Sequence, residues 1–210
     1  MHGTVSQKIG RALGDLLLHP QYISRCLAHN ILNDKTPLDL EIPWFSYAAI
    51  DFLEGFLKSH MTVCEYGSGG STLFFARRTK SVFSIEDNPK WFELVSRRLQ
   101  EKGITNATLK LAPFDFKNPV GFEASEYLNA IPDEIFDVVV VDGSEEWTQV
   151  RPMCFKHVEK RIKPGGIIIV DDSWRYPALR TNNHAQRCEV FQSLGPCRPG
   201  VTSTDVFFYK

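Results

Sequence analysis

The sequence predicts an α/β fold: an open, mostly parallel sheet with helices on both faces. Three observations predict it. From residue 62 onward, short strand-like apolar runs alternate with segments of helical spacing. The run Phe136-Asp137-Val138-Val139-Val140-Val141 leaves almost no polar face, as expected of a strand in the middle of a parallel sheet. The chain then closes on two strand-like segments without a helix between them, which reads as an antiparallel pair at the sheet edge. In such sheets ligands bind beyond the carboxyl ends of the strands, so chemistry is expected just after each strand.

The elements follow in order. The first 60 residues differ from the rest. Ile9, Ala12, Leu13, Leu16 and Leu17 keep helical spacing, with Ser6 placed to cap the helix and Pro20 to stop it. Tyr22, Ile23, Cys26 and Leu27 suggest a second short helix, residues 33–43 a loop, and Trp44 to Leu57 a third helix with Trp44, Ala48, Phe52 and Phe56 on one face. Strands are expected at Thr62–Tyr66, Ser81–Ile85, Ala107–Leu111, Phe136–Val141 and Ile167–Val170, with Glu189–Phe191 and Asp205–Tyr209 as the closing pair. Between them, Ser71–Arg78 and Pro89–Gln100 read as helices. Asn88 caps the latter, and Trp91, Leu94, Val95 and Leu99 face inward. Residues 112–134 are weakly patterned and read as a loop with a short helix. Trp147, Val150, Cys154, Val158 and Ile162 mark a helix that Gly165-Gly166 ends.

The 210 residues are 43% apolar and 23% charged, with a formal net charge of −1, a globular composition without the field that holds a polyanion. A dedicated nucleic-acid binder is therefore disfavoured. The five cysteines are scattered and lack metal or redox spacing, as in a reduced compartment, although Cys188 and Cys197 could pair. No run has the length of a signal core or a bilayer span, so a cytoplasmic protein with no membrane partner is expected.

The chemistry concentrates in Glu65-Tyr66-Gly67-Ser68-Gly69-Gly70-Ser71-Thr72, which follows the first strand and opens a helix. Glycines there let the backbone turn sharply and approach a ligand. Glu86, at the end of the second strand, is placed to take both hydroxyls of a ribose. A dinucleotide fingerprint wants a small residue where Thr72 stands, and no Tyr is followed four residues on by Lys, so a nicotinamide-dependent oxidoreductase is the weaker reading. Glu65 is a carboxylate in an apolar strand. Burial makes it costly without a partner, and a ligand amine could be that partner.

These residues resemble the motifs of class I S-adenosylmethionine-dependent methyltransferases. Glu65-Tyr66-Gly67-Ser68-Gly69 looks like the first motif, Ile85-Glu86 the ribose-binding motif, Val141-Asp142-Gly143-Ser144 the fourth-strand motif, and Pro164-Gly165-Gly166 with Val170-Asp171-Asp172-Ser173 the fifth-strand motif. The resemblance covers roughly residues 43–210. It implies a seven-stranded Rossmann-like sheet whose last strand is antiparallel. The whole chain, residues 1–210, would form one methyltransferase domain, with a helical extension over residues 1–60 and the core over 61–210. It implies S-adenosylmethionine as cofactor, with S-adenosylhomocysteine as product, bound by Glu65, Tyr66, Gly67, Ser68, Gly69, Ser71, Glu86 and Asp142. It implies O-methylation of a small-molecule acceptor, a sugar or phenolic metabolite, with Asp142 and Asp172 as catalytic acids near the transferring methyl.

Asp142, Asp171 and Asp172 lie at adjacent strand ends, where three carboxylates could hold a divalent metal. Catechol-type O-methyltransferases place Asp, then Asp-Asn, at these positions to hold magnesium. This chain has Asp172 for the Asn, and Glu145 where they have a lysine base, so no metal ligand is assigned. Asp142 could instead bind backbone amides, and Asp171 and Asp172 could order their own loop. Trp174 and Tyr176 could wall a pocket or cover the core. His157 reads as a surface residue and His184 as a loop residue. Arg175, Arg180, Arg187 and Arg198 cluster after the fifth strand, either against an acidic substrate group or solvated. The apolar faces of the N-terminal helices must bury somewhere, as a lid or in a homodimer. The rival to an enzyme is a cofactor-binding, non-catalytic interaction module.

Overall fold

The structure is a computed structural model and describes residues 4–32 and 34–210. Asn33, the first residue of the expected loop, lies outside them. The helices are α1 (Val5–Leu18), α2 (Ile23–Asn30), α3 (Pro37–Leu40), α4 (Tyr47–Phe56), α5 (Gly70–Ala76), α6 (Pro89–Glu101), α7 (Glu126–Asn129) and α8 (Val150–Val158). The strands are β1 (Thr62–Tyr66), β2 (Ser81–Glu86), β3 (Ala107–Leu111), β4 (Phe136–Val141), β5 (Ile162–Val170), β6 (Arg187–Leu194) and β7 (Val201–Phe208). They form one seven-stranded sheet in the order β3-β2-β1-β4-β5-β7-β6, parallel throughout except for β7, which runs antiparallel to both β5 and β6.

β4 lies in the sheet centre, where Val138 to Val141 are shut off from solvent on both faces. One apolar cluster holds Val139 and Val141 with Cys154, Phe155 and Phe207. The cluster on the other face holds Val138 and Val140 with Ile50, Leu53 and Phe74. Alternate residues of one strand thus divide between two cores, the period-two geometry that makes the run apolar throughout.

Local chemistry moves several expected boundaries. Thr4, not Ser6, caps α1. It is extended, its hydroxyl accepts from Gln7 N, and the Gln7 side chain returns a bond to Thr4 N. The expected loop contains α3, which Thr36 caps while Pro37 takes the first turn. α4 starts at Tyr47 because Ser46 caps it by accepting from Ala49 N, which leaves Trp44 outside the helix and 48% exposed. On α6, Val95 and Leu99 are buried but Leu94 faces out. Gly165-Gly166 does not separate helix from strand: β5 already begins at Ile162. The weakly patterned 112–134 segment carries Phe114, Phe116, Phe122 and Tyr127, whose rings stack edge-on within the core beside Tyr66. Single aromatics on short turns leave no periodic trace in the sequence.

The N-terminal helices dock on the turn joining β6 to β7. Asp15 accepts from Leu194 N at 2.8 Å, and Asn30 donates to Gly195 O and accepts from Arg198 N. Ala12, Leu16 and Cys26 pack on the core, whereas Ile9, Leu13, Leu17, Ile31 and Leu32 face solvent. The burial expected for these apolar faces is thus met only in part within the chain. All five cysteines are free, and no described helix is long and apolar enough to cross a membrane.

Candidate active site

β1, β2, β4 and β5 deliver their carboxyl ends to one cleft. After Tyr66 the chain turns through Gly67 at φ +94°, and a Cβ there would stand 2.7 Å from the Asp142 carbonyl oxygen. The loops after β1 and β4 therefore cross at backbone contact, fixed by Asp142 N donating to Tyr66 O at 3.0 Å. Gly70 opens α5 against the carbonyls of Pro37 and Ile42, which any side chain there would strike. Trp91, on α6, donates its indole N–H to Ser68 O at 2.8 Å and holds the crest of the loop.

Glu65 is 1% exposed and lies beneath this loop. Its carboxylate accepts from the hydroxyls of Ser71, Thr72 and Ser84. Within the chain, three hydroxyls partner it where the sequence reading offered a ligand amine. Burial still raises its pKa to about 7, against those hydrogen bonds. Tyr66 turns its ring into the core, where its hydroxyl donates to Leu128 O at 2.6 Å, so only its backbone borders the turn. Ser68, Gly69 and Ser71 line the cleft.

Glu86 ends β2 beside the loop. One oxygen accepts from the Ser68 hydroxyl at 2.6 Å and the other from Asn88 N at 2.9 Å. Burial raises its pKa against those two bonds. Asn88 caps α6 as expected.

The acidic ends of β4 and β5 are clamped by a residue the sequence reading missed. Arg151, on α8, is 4% exposed. Its guanidinium donates to Gly143 O and to Asp171 O, and pairs with Asp142 at 3.1 Å and Glu145 at 3.4 Å. It follows Val150 and falls four residues after Trp147 and three before Cys154, on the inward stripe, where a cation demands a partner. That spacing was the available signal. Asp142 keeps a quarter of its side chain exposed, and burial pushes its carboxyl up to about 7, opposed by Arg151 and assisted by Asp172. Asp171 is fully buried and accepts from Thr204 at 2.6 Å. Asp172 adopts φ +47° and accepts from Thr202, Trp174 Nε1 and Arg198. Against the cost of burial, the hydrogen bond with Glu145, the Arg198 charge and the Thr202 hydroxyl hold Asp172 well below the ordinary carboxylate range, while burial and the same shared bond raise Glu145.

These carboxylates do not suit a hard cation. Arg151 and Arg198 already occupy the space between them, and among the described residues no group of three or more His, Cys, Asp or Glu is arranged to hold a metal ion.

The cleft is about 560 Å3, lined by Ser68 to Ser71, Trp91, Asp142, Glu145, Asp171, Asp172 and the two arginines, with Pro37 and Trp44 opposite. On the far side of Glu86 another hollow, about 630 Å3, begins at Asp87 and is walled by Pro89, Phe114, Phe116 and Ser144. Trp44, Trp91 and Phe114 were not among the expected site residues. Each comes from a different element, and nothing local marks them. Tyr176 is a core residue, while Trp174 stands at the cleft's edge. The four arginines after β5 do not act as one cluster. Arg180 pairs with Asp205 and Arg187 with Glu189, both away from the cleft; Arg198 lines it, and Arg175 pairs with Glu145 and lines a smaller hollow beside it. His184 is exposed and bonds Glu159, and His157 lies half-buried on α8; neither lines the cleft.

A sheet of this order, with a glycine turn after its first strand and an acid closing its second, defines a class I S-adenosylmethionine-dependent methyltransferase. The chain belongs to the methyltransferase-domain family, which residues 64–173 match, more than half of its length. The chain therefore carries a class I S-adenosylmethionine-dependent methyltransferase domain, as its motifs predict, and not the nicotinamide-binding fold of an oxidoreductase. A stretch of 105 residues is 34% identical to a probable cobalt-precorrin-6B C(15)-methyltransferase (decarboxylating) of Methanothermobacter thermautotrophicus, covering 50% of this chain and 47% of that protein. The chain thus spans about half the length of the curated relative it matches. Among solved structures, the O-methyltransferase from Bacillus cereus in complex with S-adenosylhomocysteine superposes with a TM-score of 0.64 over 99% of this chain and 100% of that one, at 15% identity. An rRNA methylase from Streptococcus thermophilus gives 0.57 over 85% and 99%, at 18% identity. At these identities the likeness is one of fold, and two acceptor classes share it.

Proposed function

We propose that the enzyme methylates an oxygen nucleophile of a small molecule, with Asp142 as the general base. The observation that carries this is Asp142 itself: a partly exposed carboxylate beside the glycine turn, titrating near 7, in a cleft whose lining contains neither histidine nor lysine. A base of that pKa can take the proton of a hydroxyl nucleophile near neutral pH.

The residues around the turn fit the cofactor. The Glu86 carboxylate accepts from Ser68 and Asn88 on its two oxygens and keeps acceptor capacity toward the cleft for the two hydroxyls of a ribose. Phe114, Phe116 and Asp87 would flank the base, and Gly67, Ser68, Gly69 and Ser71 the methionine end. Glu65 supports this from below by holding Ser71 and Thr72. S-adenosylmethionine supplies an already activated sulfonium methyl, so the protein's own work is alignment, exclusion of water and proton removal. The carboxylates of the cleft suit that positive charge. Asp172, kept ionised by Arg198 and Thr202, would accept a hydrogen bond from the acceptor and orient it.

In Asp142→Asn, kcat is expected to fall about 10²–10⁴-fold, and the rise of kcat/KM through a pKa near 7 to disappear. Affinity for S-adenosylhomocysteine should change little. A variant that keeps full turnover would remove Asp142 from the reaction, and mass spectrometry of the product identifies the methylated atom.

A further inference from the structure

We propose that a second chamber, opening on the main cleft, takes the anionic group, a carboxylate or phosphate, of a small ring-bearing methyl acceptor. The proposal rests on the methyl-acceptor reading of the cleft above and names its substrate class. The chamber is about 220 Å3 and shares Trp44, Asp172 and Arg198 with the cleft. The shared residues place the chamber against the acidic end of the cleft.

The two spaces carry opposite charge. The main cleft sets the carboxylates Asp142, Glu145, Asp171 and Asp172 against Arg151 and Arg198. The second chamber sets Lys8, Arg11, Arg175 and Arg198 against Asp172 alone. A sulfonium suits the first, and the second suits an anion. Net charge over the chain is −1, so this positive charge is a local concentration rather than part of a basic surface.

Aromatic walls accompany the charge. The Arg198 guanidinium lies 5.1 Å from the Trp44 ring centre and Arg175 lies 4.8 Å from that of Trp174. Each stack fixes a planar donor fork beside an aromatic surface that can receive a ring. Trp44 remains half exposed, unusual for so large an apolar side chain unless its surface is used.

The charge is brought there by the N-terminal helix. Asp15 fastens α1 to the β6–β7 turn, and Lys8 and Arg11, seven and four residues earlier, lie on the same helical face. Arg175 and Arg198 are partly neutralised by Glu145 and Asp172, whereas Lys8 has no ion pair among the described residues. The first helix thus completes the acceptor site instead of only covering the core.

The test titrates phenyl phosphate, benzoate and phenol into the full chain saturated with S-adenosylhomocysteine. Both anions should bind roughly ten-fold or more tightly than phenol, the effect of a charge-assisted contact. Their ranking tells phosphate from carboxylate. Lys8→Glu with Arg11→Glu, both exposed on α1, should abolish that preference while leaving S-adenosylhomocysteine affinity within about two-fold. Lys8→Ala with Arg11→Ala should weaken it in the same direction by less. Equal binding of the three probes, or a preference that survives charge reversal, overturns the proposal. So does a short RNA oligonucleotide that outcompetes phenyl phosphate and loses its affinity in the same variant. Failure of the wild-type chain to bind S-adenosylhomocysteine would overturn the cofactor reading beneath it, and is seen before any probe is added.

Discussion

From Ser68 to Trp91 the cleft is walled by one stretch of chain, whereas the opposite wall draws on Pro37, Trp44, Asp172 and Arg198, which lie far apart in sequence. The first wall is tied by bonds between neighbours: Ser71 and Thr72 to Glu65, Ser68 to Glu86, Trp91 to Ser68. The second is tied by docking: Asp15 on the β6–β7 turn, Asn30 on Gly195 and Arg198, Arg151 across the ends of β4 and β5. A wall of the first kind can lose one side chain and keep its shape. The second keeps its shape only while several elements stay assembled. This split suits an enzyme whose cofactor is constant and whose acceptor varies with the loops and extensions around the sheet.

The comparison breaks most severely at Arg151. Arg151→Met removes the clamp and leaves the buried carbonyls of Gly143 and Asp171 without a donor and Asp142 without its counter-ion. A loss of about 3–5 kcal/mol in chemical denaturation is expected; a loss under about 1 kcal/mol would show that the β4 and β5 ends hold together without it. Glu86→Ala should act on the local wall alone. S-adenosylhomocysteine affinity in calorimetry should fall about 10–100-fold, the value of hydrogen bonds to a charged group, with the melting temperature nearly unchanged. A large fall in stability instead would mean that Glu86 serves the fold more than the ligand.

The smallest effect concerns Glu65. Its folded pKa, about 7, stands above the ordinary 4.5, so the folded chain holds the proton more tightly than the unfolded chain. Its contribution to stability is complete below pH 4.5 and is lost as pH rises through about 7. Asp142 and Asp171 are raised too and slope the same way, so the informative quantity is a difference between proteins. Glu65→Gln should flatten the decline between these pH values by about 1–3 kcal/mol. Parallel curves for the two proteins would show that the three hydroxyls hold Glu65 ionised throughout.

Legibility in the sequence follows the same division. The bounds of β1 and β4 were readable because strands buried on both faces are written as short apolar runs, those of the edge strand β3 because Ala107, Leu109 and Leu111 alternate with Thr108 and Lys110, and the α6 cap because Asn88-Pro89 is a local signal. The glycine turn and Glu86 were readable because ligand contact there depends on backbone shape and one side chain close in sequence. For Glu65, burial was readable and its partner was not: Ser84 meets it only because β2 pairs in register beside β1.

What the sequence by itself determined is therefore the sheet, the turn after its first strand and the acid at the end of its second, since each is encoded within about ten residues by periodicity and turn chemistry. Only the tertiary structure decided that Arg151 binds the acidic loops together, that Trp44 escapes its expected helix to line a pocket, and that Lys8 and Arg11 stand beside Arg198. Those contacts join residues of different elements, from eight to nearly two hundred positions apart. No local pattern encodes them, because they arise from where whole helices and strands come to rest.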